Sequence, residues 1–244
     1  MAKRVGVILS GCGHRDGSDV GEALITLLAL DRAGAEIICA APDQAQAVLA
    51  NHLRGESAAA KPPKRNTLVE AARLARGAVR SLAALDDRDI DALIIPGGEG
   101  AWQNLSSYAD KGELCEVHPD VARLLRAMLA AHKPIGVSGL APILAARVLG
   151  PVAGVRITLG SKHTTAAKHA AVMGADLRPC PVDDVVIDQK ARLISTPAYM
   201  YDDASLRQVA LGIEKLVRTV LSMAQDRAPR PAPPTTVPGA RPVP

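Results

Sequence analysis

The stretch from Lys133 to Pro142, with the sequence KPIGVSGLAP, has the residue pattern of a nucleophile elbow. Its apolar residues Ile135 and Val137 predict a short buried strand, and Ala141-Pro142 predicts a helix start, where proline is favoured. A strand, a tight turn and a helix in this order hold one side chain over a helix N-terminus, which stabilises a nucleophilic anion. The residue predicted at the tip of the turn is Gly139, which has no side chain.

Ser138 is the neighbouring candidate for a nucleophile. The sequence G-V-S-G-L at 136–140 resembles the G-x-S-x-G elbow of serine hydrolases, but Leu140 replaces the last glycine. A serine hydrolase also needs a base further along the chain, and His163 and His169 are available without an obvious carboxylate to orient either. We therefore keep a serine hydrolase as an alternative and interpret Ser138 as the last residue of the strand.

Other patterns give no support for a cofactor or a metal. The loop SGCGHRDGS after the first apolar run is neither the G-x-G-x-x-G of a dinucleotide fold nor a Walker A loop. The six histidines form no metal-binding motif, and the four cysteines form no C-x-x-C pair. We therefore expect no cofactor, no metal and reduced thiols.

Composition and charge limit the partners and the location. The N-terminus lacks the long apolar segment and cleavage site of a signal peptide, and no apolar run is long enough to span a bilayer. We therefore expect a cytoplasmic protein without a membrane partner. The net charge is +4, aromatic residues make up 2%, and the nearest basic cluster is a short loop with Lys61, Lys64 and Arg65. Nucleic-acid faces combine basic stripes with aromatic platforms, so we expect no nucleic-acid partner.

Alternating strands and helices must position the elbow. Apolar runs predict strands at Arg4–Leu9, Glu36–Ala40, Asp91–Ile95, Ile135–Val137, Val155–Leu159, Val185–Asp188 and Arg192–Thr196. Amphipathic periodicity and caps predict helices at 19–32, 68–76, 121–132, 164–173 and 206–223, with another beginning near Pro142. The pattern predicts an α/β fold with an open, mostly parallel sheet and helices on both faces.

The ends of the predicted strands carry three glycine-rich turns: Gly11–Gly17, Gly97–Gly100 and Gly136–Gly139. Sites in parallel sheets form at the carboxyl ends of the strands, so we expect these turns to converge. Glu22 lies three residues after Asp19, which is the spacing of a capping box at the start of the first helix. Trp102 and Tyr108 follow the second turn and are interpreted as packing residues.

The order of motifs resembles the ElbB-type proteins, which are isoprenoid-biosynthesis-associated, glyoxalase-like members of the PfpI, class I glutamine amidotransferase-like superfamily. The motifs are GVILSGCG with DGS and EA, PGGxGA with NLS, KPxG with AP, and PCPVDDVVID with TPAYM. The resemblance spans roughly Val5 to Leu221. It implies a flavodoxin-like fold in a single domain, residues 1–227, and the Pro-rich residues 228–244 are expected to form a disordered tail.

The resemblance also implies the site. In the family a cysteine at the elbow attacks an aldehyde such as methylglyoxal, without metal or glutathione, in a protein that is usually dimeric. The carboxylate matching Glu22 shuttles a proton, and the backbone N–H groups matching Gly98 and Leu140 form the oxyanion site. The elbow cysteine falls on Gly139, so the covalent step lacks its nucleophile. Cys12, in the loop after the first strand, is a possible substitute thiol, although a small structural residue is the simpler interpretation.

Two hypotheses follow. The first is an ElbB-like protein of the glyoxalase class, converting methylglyoxal or glyoxal to lactate or glycolate, whose activity is weak or lost. The second is a non-catalytic binding or regulatory protein that keeps the pocket for a small carbonyl compound or anion. A homodimer is expected in either case. A glutaminase subunit is disfavoured, because it needs the same cysteine and a His-Glu pair that the sequence does not place.

Overall fold

The computed structural model describes residues 2–54, 56–57 and 64–225, and these contain eleven strands and eight α-helices. The strands are β1 (Arg4–Ile8), β2 (Glu36–Ala41), β3 (Ala50–Asn51), β4 (Glu56–Ser57), β5 (Val79–Ser81), β6 (Ala92–Ile95), β7 (Ile135–Ser138), β8 (Arg156–Ile157), β9 (Asp176–Leu177), β10 (Val186–Asp188) and β11 (Leu193–Thr196). The helices are α1 (Val20–Arg32), α2 (Thr67–Leu74), α3 (Gly100–Gln103), α4 (Tyr108–Lys111), α5 (Pro119–Ala130), α6 (Pro142–Ala153), α7 (Thr165–Val172) and α8 (Leu206–Gln225).

Seven strands form the central sheet in the order β10-β11-β7-β6-β1-β2-β5. All neighbouring pairs are parallel except β10 with β11 at one edge. Strands β7, β6 and β1 are therefore adjacent, and their carboxyl ends open on the same side of the sheet. This arrangement confirms the predicted flavodoxin-like α/β fold.

Two apolar layers cover the sheet. One contains the buried faces of α5, α6 and α7, and the other contains those of α1, α2 and α8. The buried hydrophobic residues are almost all Ala, Val, Leu and Ile, as the low aromatic content requires. Strands buried on both faces need continuous aliphatic sequences, which explains why the runs in β1 and β6 were easy to recognise.

The sheet differs from the prediction at three places. The segment predicted as a strand at Val155–Leu159 contributes only the two-residue β8, which pairs with β9 outside the main sheet. The position beside β7 is taken by β11, with Leu193 opposite Ile135. The edge strand β5 was not predicted, because it is short and has one large apolar residue. The small hairpin of β3 and β4 was also not predicted.

Some predictions concern residues outside the described parts of the chain. The Pro-rich tail at 228–244 and Lys61 of the basic loop belong to this group. Among the helices that are described, none combines the length and the apolar character needed to cross a membrane.

Candidate functional site

The three glycine-rich turns converge at the carboxyl ends of β1, β6 and β7, as predicted. The Asp19 N–H donates to the Gly97 carbonyl at 2.9 Å, and the Gly100 N–H donates to the Gly17 carbonyl at 3.0 Å. A further bond joins the Glu99 N–H to the His14 carbonyl at 2.6 Å. These bonds fix the loop after β1 against the turn after β6.

Gly139 occupies the tip of the turn between β7 and α6. Its φ of +54° lies in the left-handed region, which favours glycine. The Gly139 N–H donates to the Thr196 carbonyl at 3.1 Å, and Pro142 is the first residue of α6. The predicted strand, tight turn and helix are therefore present.

The Glu22 side chain lies directly against Gly139. Its Oε2 atom accepts hydrogen bonds from the Gly97 N–H at 2.9 Å and from the Ser138 hydroxyl at 2.6 Å. A Cβ atom added to Gly139 would lie 2.5 Å from Glu22 Oε1. The carboxyl group therefore fills the place where a side chain at position 139 would begin.

Only half of the predicted capping box at Asp19 and Glu22 forms. The Asp19 carboxylate accepts from the Glu22 N–H at 2.9 Å, as an N-cap should. The Glu22 carboxylate instead turns into the site and bonds Gly97 and Ser138. The predicted bond from the Asp19 N–H to the Glu22 carboxylate does not form. The Gly97 N–H and the Ser138 hydroxyl, which are distant in sequence and buried, donate to that carboxylate instead.

Burial makes Glu22 titrate near neutrality. The side chain is 2% exposed, and the loss of solvation raises its pKa from the ordinary 4.5 to about 7. The nearby Asp19 carboxylate raises the pKa further, while hydrogen bonds from Ser138, Gly97 and the Tyr199 amide oppose the shift. A group with this pKa can hold or release a proton at neutral pH.

The backbone N–H groups of Gly98 and Leu140 flank the elbow. Within the described parts of the chain, neither donates a hydrogen bond, and both residues line the same cavity. Gly98 has a φ of +104°, and an added Cβ would collide with backbone atoms of Gly17 and Asp19. The Trp102 indole donates to the Leu140 carbonyl at 2.9 Å. Trp102, interpreted as a packing residue, therefore also anchors the elbow.

A cavity of about 660 Å³ opens over these groups. It is lined by Gly13, His14, Arg15, Asp19, Val20, Gly21, Glu22, His52, Gly98, Glu99, Gly139, Leu140, Tyr199, Met200, Tyr201 and Asp202. Sequence reasoning did not identify His52, Tyr199 or Tyr201 as part of the site. The TPAYM motif was the available signal for Tyr199, whereas nothing local marks His52. The lining suits a small polar molecule whose oxygen accepts hydrogen bonds.

Cys12 is placed less favourably than the other predicted site residues. Its side chain is partly buried, and it is not among the residues that line the cavity within the described chain. Burial raises the pKa of its thiol, and Glu70 and Asp16 add to that effect although Arg73 opposes it. These surroundings favour the thiol over the reactive thiolate. Its role as a substitute nucleophile stays a prediction.

Ser138 is the last residue of β7, as interpreted from the sequence. Its hydroxyl donates to Glu22, so it positions the carboxyl group. His163 is exposed, and His169 bonds the Tyr108 hydroxyl at 2.9 Å and pairs with Glu113 at 3.0 Å. No Ser–His pair at the elbow occurs among the described hydrogen bonds, which leaves the serine hydrolase alternative without its base.

The described residues offer no group of three or more His, Cys, Asp or Glu side chains arranged to hold a metal ion. At the elbow itself, the Glu22 carboxyl group lies beside Gly139, and Gly98 and Leu140 line the same cavity. This arrangement can polarise a carbonyl group and exchange a proton with a bound molecule.

Proteins similar to this chain indicate its family. No family model matches the chain. The rat mitochondrial ES1 protein homolog is 38% identical over 90% of this chain and 84% of its own length. The human mitochondrial glutamine amidotransferase-like class 1 domain-containing protein 3 is 39% identical over 91% of this chain and 84% of its own length.

Solved structures agree with this relationship. An isoprenoid biosynthesis protein with an amidotransferase-like domain from Ehrlichia chaffeensis is 34% identical, with a TM-score of 0.82 over 90% of this chain and 99% of its own. Drosophila melanogaster DJ-1beta, at 21% identity and a TM-score of 0.51 over 92% of this chain and 97% of its own, shows the same fold.

These relatives correct one expectation and limit another. The expected cytoplasmic location is wrong, because the similar rat, human and zebrafish proteins are mitochondrial. That expectation rested on the missing signal peptide and on reduced thiols. Neither feature distinguishes a mitochondrial protein from a cytoplasmic one. Of the resemblance to ElbB-type proteins, the membership in the class I glutamine amidotransferase-like superfamily is confirmed. By identity and coverage, the chain belongs to the ES1 family of class I glutamine amidotransferase-like proteins.

Proposed function

We propose that this chain binds a small carbonyl compound, or an anion of similar size, in the cavity at Gly139 and performs no thiolate-dependent glyoxalase turnover. The observation that carries the proposal is the pair of available N–H donors at Gly98 and Leu140 beside the buried Glu22. Gly139 supplies no nucleophile, so the pocket keeps its binding groups without the covalent step.

The binding argument follows from the polarity of these groups. A carbonyl or carboxylate oxygen accepts from the two amides, and the Leu140 amide lies just before the N-terminus of α6, which favours negative charge. A ligand oxygen that accepts from both amides replaces solvent there, and each such hydrogen bond contributes about 0.5–1.5 kcal/mol net. Glu22 supports a neutral carbonyl when it is protonated, because it can then donate.

The test is a titration of the full chain with hydroxyacetone, followed by the amide resonances in ¹H–¹⁵N spectra. We expect saturable shifts of the Gly98 and Leu140 resonances in the millimolar range, which corresponds to about −4 kcal/mol. The amides of Gly77 and Gly154 donate to carbonyls at the C-terminal ends of α2 and α6, outside the cavity lining, and serve as internal controls. Equal shifts at all four, or none at Gly98 and Leu140, would contradict the proposal.

A residual glyoxalase activity is the second candidate. Two observations favour it: the resemblance to glyoxalase-like proteins, and a carboxyl group at Gly139 that titrates near neutrality. The assay is conversion of methylglyoxal to lactate by the purified chain. Turnover that Cys12→Ala abolishes, and that the control Cys39→Ala preserves, would establish Cys12 as the substitute thiol. Absence of turnover supports binding without thiolate chemistry.

We propose that the chain forms the expected homodimer through α1. Val20, Leu24 and Leu28 are spaced four residues apart on one face of the helix and are 46%, 58% and 43% exposed. Between Val20 and Leu30 this described helix exposes no charged side chain, since Glu22 is buried. A helix that is apolar on every face is normally covered by other protein. The exposed residues Val20, Leu24 and Leu28 of a second copy form a matching apolar surface.

Leu24→Glu is expected to dissociate the dimer. The substitution removes about 1.5–3 kcal/mol of apolar burial per protomer and introduces a charge that the interface would desolvate, so the dissociation constant should rise at least about 100-fold. Light scattering after size exclusion measures the mass. The control is Val172→Glu on α7, which is also exposed but belongs to the opposite side of the sheet. A wild-type monomer, or an unchanged mass in Leu24→Glu, would refute this interface.

A further inference from the structure

The elbow of this chain combines a base with donors for an oxygen, without a nucleophile. Glu22 stands next to Gly139, and the same cavity is lined by Gly98 and Leu140, whose N–H groups have no acceptor in the described chain. A carboxylate base with donors at a carbonyl oxygen is the combination that removes a proton from the carbon beside that carbonyl. The loss of the thiol therefore leaves the parts of a different reaction class in place.

We propose that the cavity is a proton-transfer site that enolises a bound small carbonyl compound, with Glu22 as the base and the Gly98 and Leu140 amides as donors to the carbonyl oxygen. This inference rests on the proposed binding function of the same cavity. It adds a substrate class, carbonyl compounds with an acidic C–H beside the carbonyl, and a reaction that requires no cysteine.

The two oxygen atoms of Glu22 have separate tasks in this scheme. Oε2 accepts the bonds from the Gly97 N–H and the Ser138 hydroxyl, which hold the carboxyl group in one orientation. Oε1 is the oxygen closest to the open side of Gly139, 2.5 Å from the place of a Cβ. A ligand bound over Gly139 therefore meets Oε1 without an intervening side chain.

Neighbouring charges suit a base that works near neutral pH. Burial raises the pKa of Glu22, Asp19 at the start of α1 raises it further, and Tyr199 from the turn at Ala198–Met200 lies close to the carboxyl group. His14 and Arg15, from the loop after β1, also line the cavity. At neutral pH the carboxyl group is divided between its acid and base forms, so it can take a proton and return it.

The step balances without another reactant. The C–H bond breaks, its proton forms an O–H bond with Glu22 Oε1, and its electron pair forms the C=C bond of the enolate. The carbonyl π electrons move to the oxygen, whose charge the two amides stabilise. Return of the proton to the same carbon restores the substrate. In an α-hydroxycarbonyl compound, return of the proton to the former carbonyl carbon, with transfer of the hydroxyl proton to the enolate oxygen, moves the carbonyl group to the neighbouring carbon. Nothing is oxidised or reduced overall.

Deuterium exchange into hydroxyacetone tests the proposal. The full chain is incubated with hydroxyacetone in D₂O near neutrality, and ¹H spectra follow the loss of the hydroxymethyl protons. We expect exchange at least about 100-fold above the buffer rate, at one of the two hydroxymethyl protons only. Buffer and surface amines exchange both protons equally, so this selectivity identifies a chiral site.

Variants assign the exchange to Glu22. Glu22→Gln keeps the shape and the acceptor for Gly97 but removes the base, so exchange should fall to the buffer rate. The control is Glu70→Gln, which alters another buried glutamate in the first turn of a helix, outside the cavity lining. Ser138→Ala removes a hydrogen bond that lowers the pKa of Glu22, so the midpoint of exchange should move to higher pH. A purely structural role of Ser138 would leave that midpoint unchanged.

The outcomes separate this inference from the proposed function. Shifts of the Gly98 and Leu140 amides by hydroxyacetone without deuterium exchange would overturn the enolisation alone. Absence of both shifts and exchange would overturn the binding proposal as well. Exchange in Glu22→Gln at the wild-type rate, or exchange of both protons equally, would also overturn the assignment. The amide spectrum of each variant verifies that it is folded.

Discussion

Gly139→Cys is expected to raise the conversion of methylglyoxal to lactate at least about 100-fold above the wild-type chain. The substitution puts a thiol at the tip of the elbow, just before α6, where the helix N-terminus favours the thiolate. The Gly98 and Leu140 amides are available for the oxygen that becomes charged when the thiolate attacks an aldehyde. Glu22 lies beside the new side chain and can carry the proton.

The same substitution should also destabilise the fold. Gly139 has a φ of +54°, where a residue with a Cβ costs about 1–2 kcal/mol. The new Cβ would lie 2.5 Å from Glu22 Oε1, so the carboxyl group must move and weaken its bonds to Gly97 and Ser138. We expect a total loss of about 2–4 kcal/mol in the free energy of unfolding.

Gly139→Ala is the matched control, because it introduces the Cβ without the thiol. We expect the alanine variant to lose similar stability and to show no turnover, which would assign the gain in Gly139→Cys to sulfur. If both variants are folded and inert, the pocket serves another chemistry than the glyoxalase-like resemblance implies. If the wild-type chain already matches Gly139→Cys, the covalent step does not depend on position 139.

Glu22→Gln should remove a pH dependence of stability between about pH 4.5 and pH 7. The pKa of Glu22 is about 7 in the folded chain and 4.5 when it is unperturbed, so the folded state binds the proton more tightly. This contribution is complete below pH 4.5 and is lost as the pH rises through 7. The difference corresponds to about 3 kcal/mol, at 1.36 kcal/mol for each pKa unit.

Chemical denaturation at a series of pH values measures this effect. We expect the wild type to lose stability relative to Glu22→Gln as the pH rises, so that the glutamine variant is the more stable of the two at pH 8. The Gln side chain stays neutral and can still accept from Gly97 and Ser138. Glu70→Gln should follow the wild-type slope, because its substitution leaves Glu22 intact. Parallel curves for wild type and Glu22→Gln would show that Glu22 titrates normally.

Local sequence patterns were sufficient for most of the architecture. The apolar runs of β1 and β6 were recognisable because strands covered on both faces need continuous aliphatic residues. The elbow at Gly139 was recognisable because a strand, a glycine turn and a proline at the helix start are adjacent in the chain. The segment of β8 was misassigned because its apolar residues pack on the core without joining the main sheet.

The sequence by itself determined the parallel α/β fold, the glycine-rich turns and the absence of a nucleophile at Gly139. Its motifs also indicated Glu22, Gly98 and Leu140 through a family resemblance. Only the tertiary structure decided what Glu22 does, because its partners Gly97 and Ser138 lie 75 and 116 residues away along the chain. Helix capping depends on neighbouring residues, whereas a buried carboxyl group takes its partners and its pKa from strands that meet only after folding.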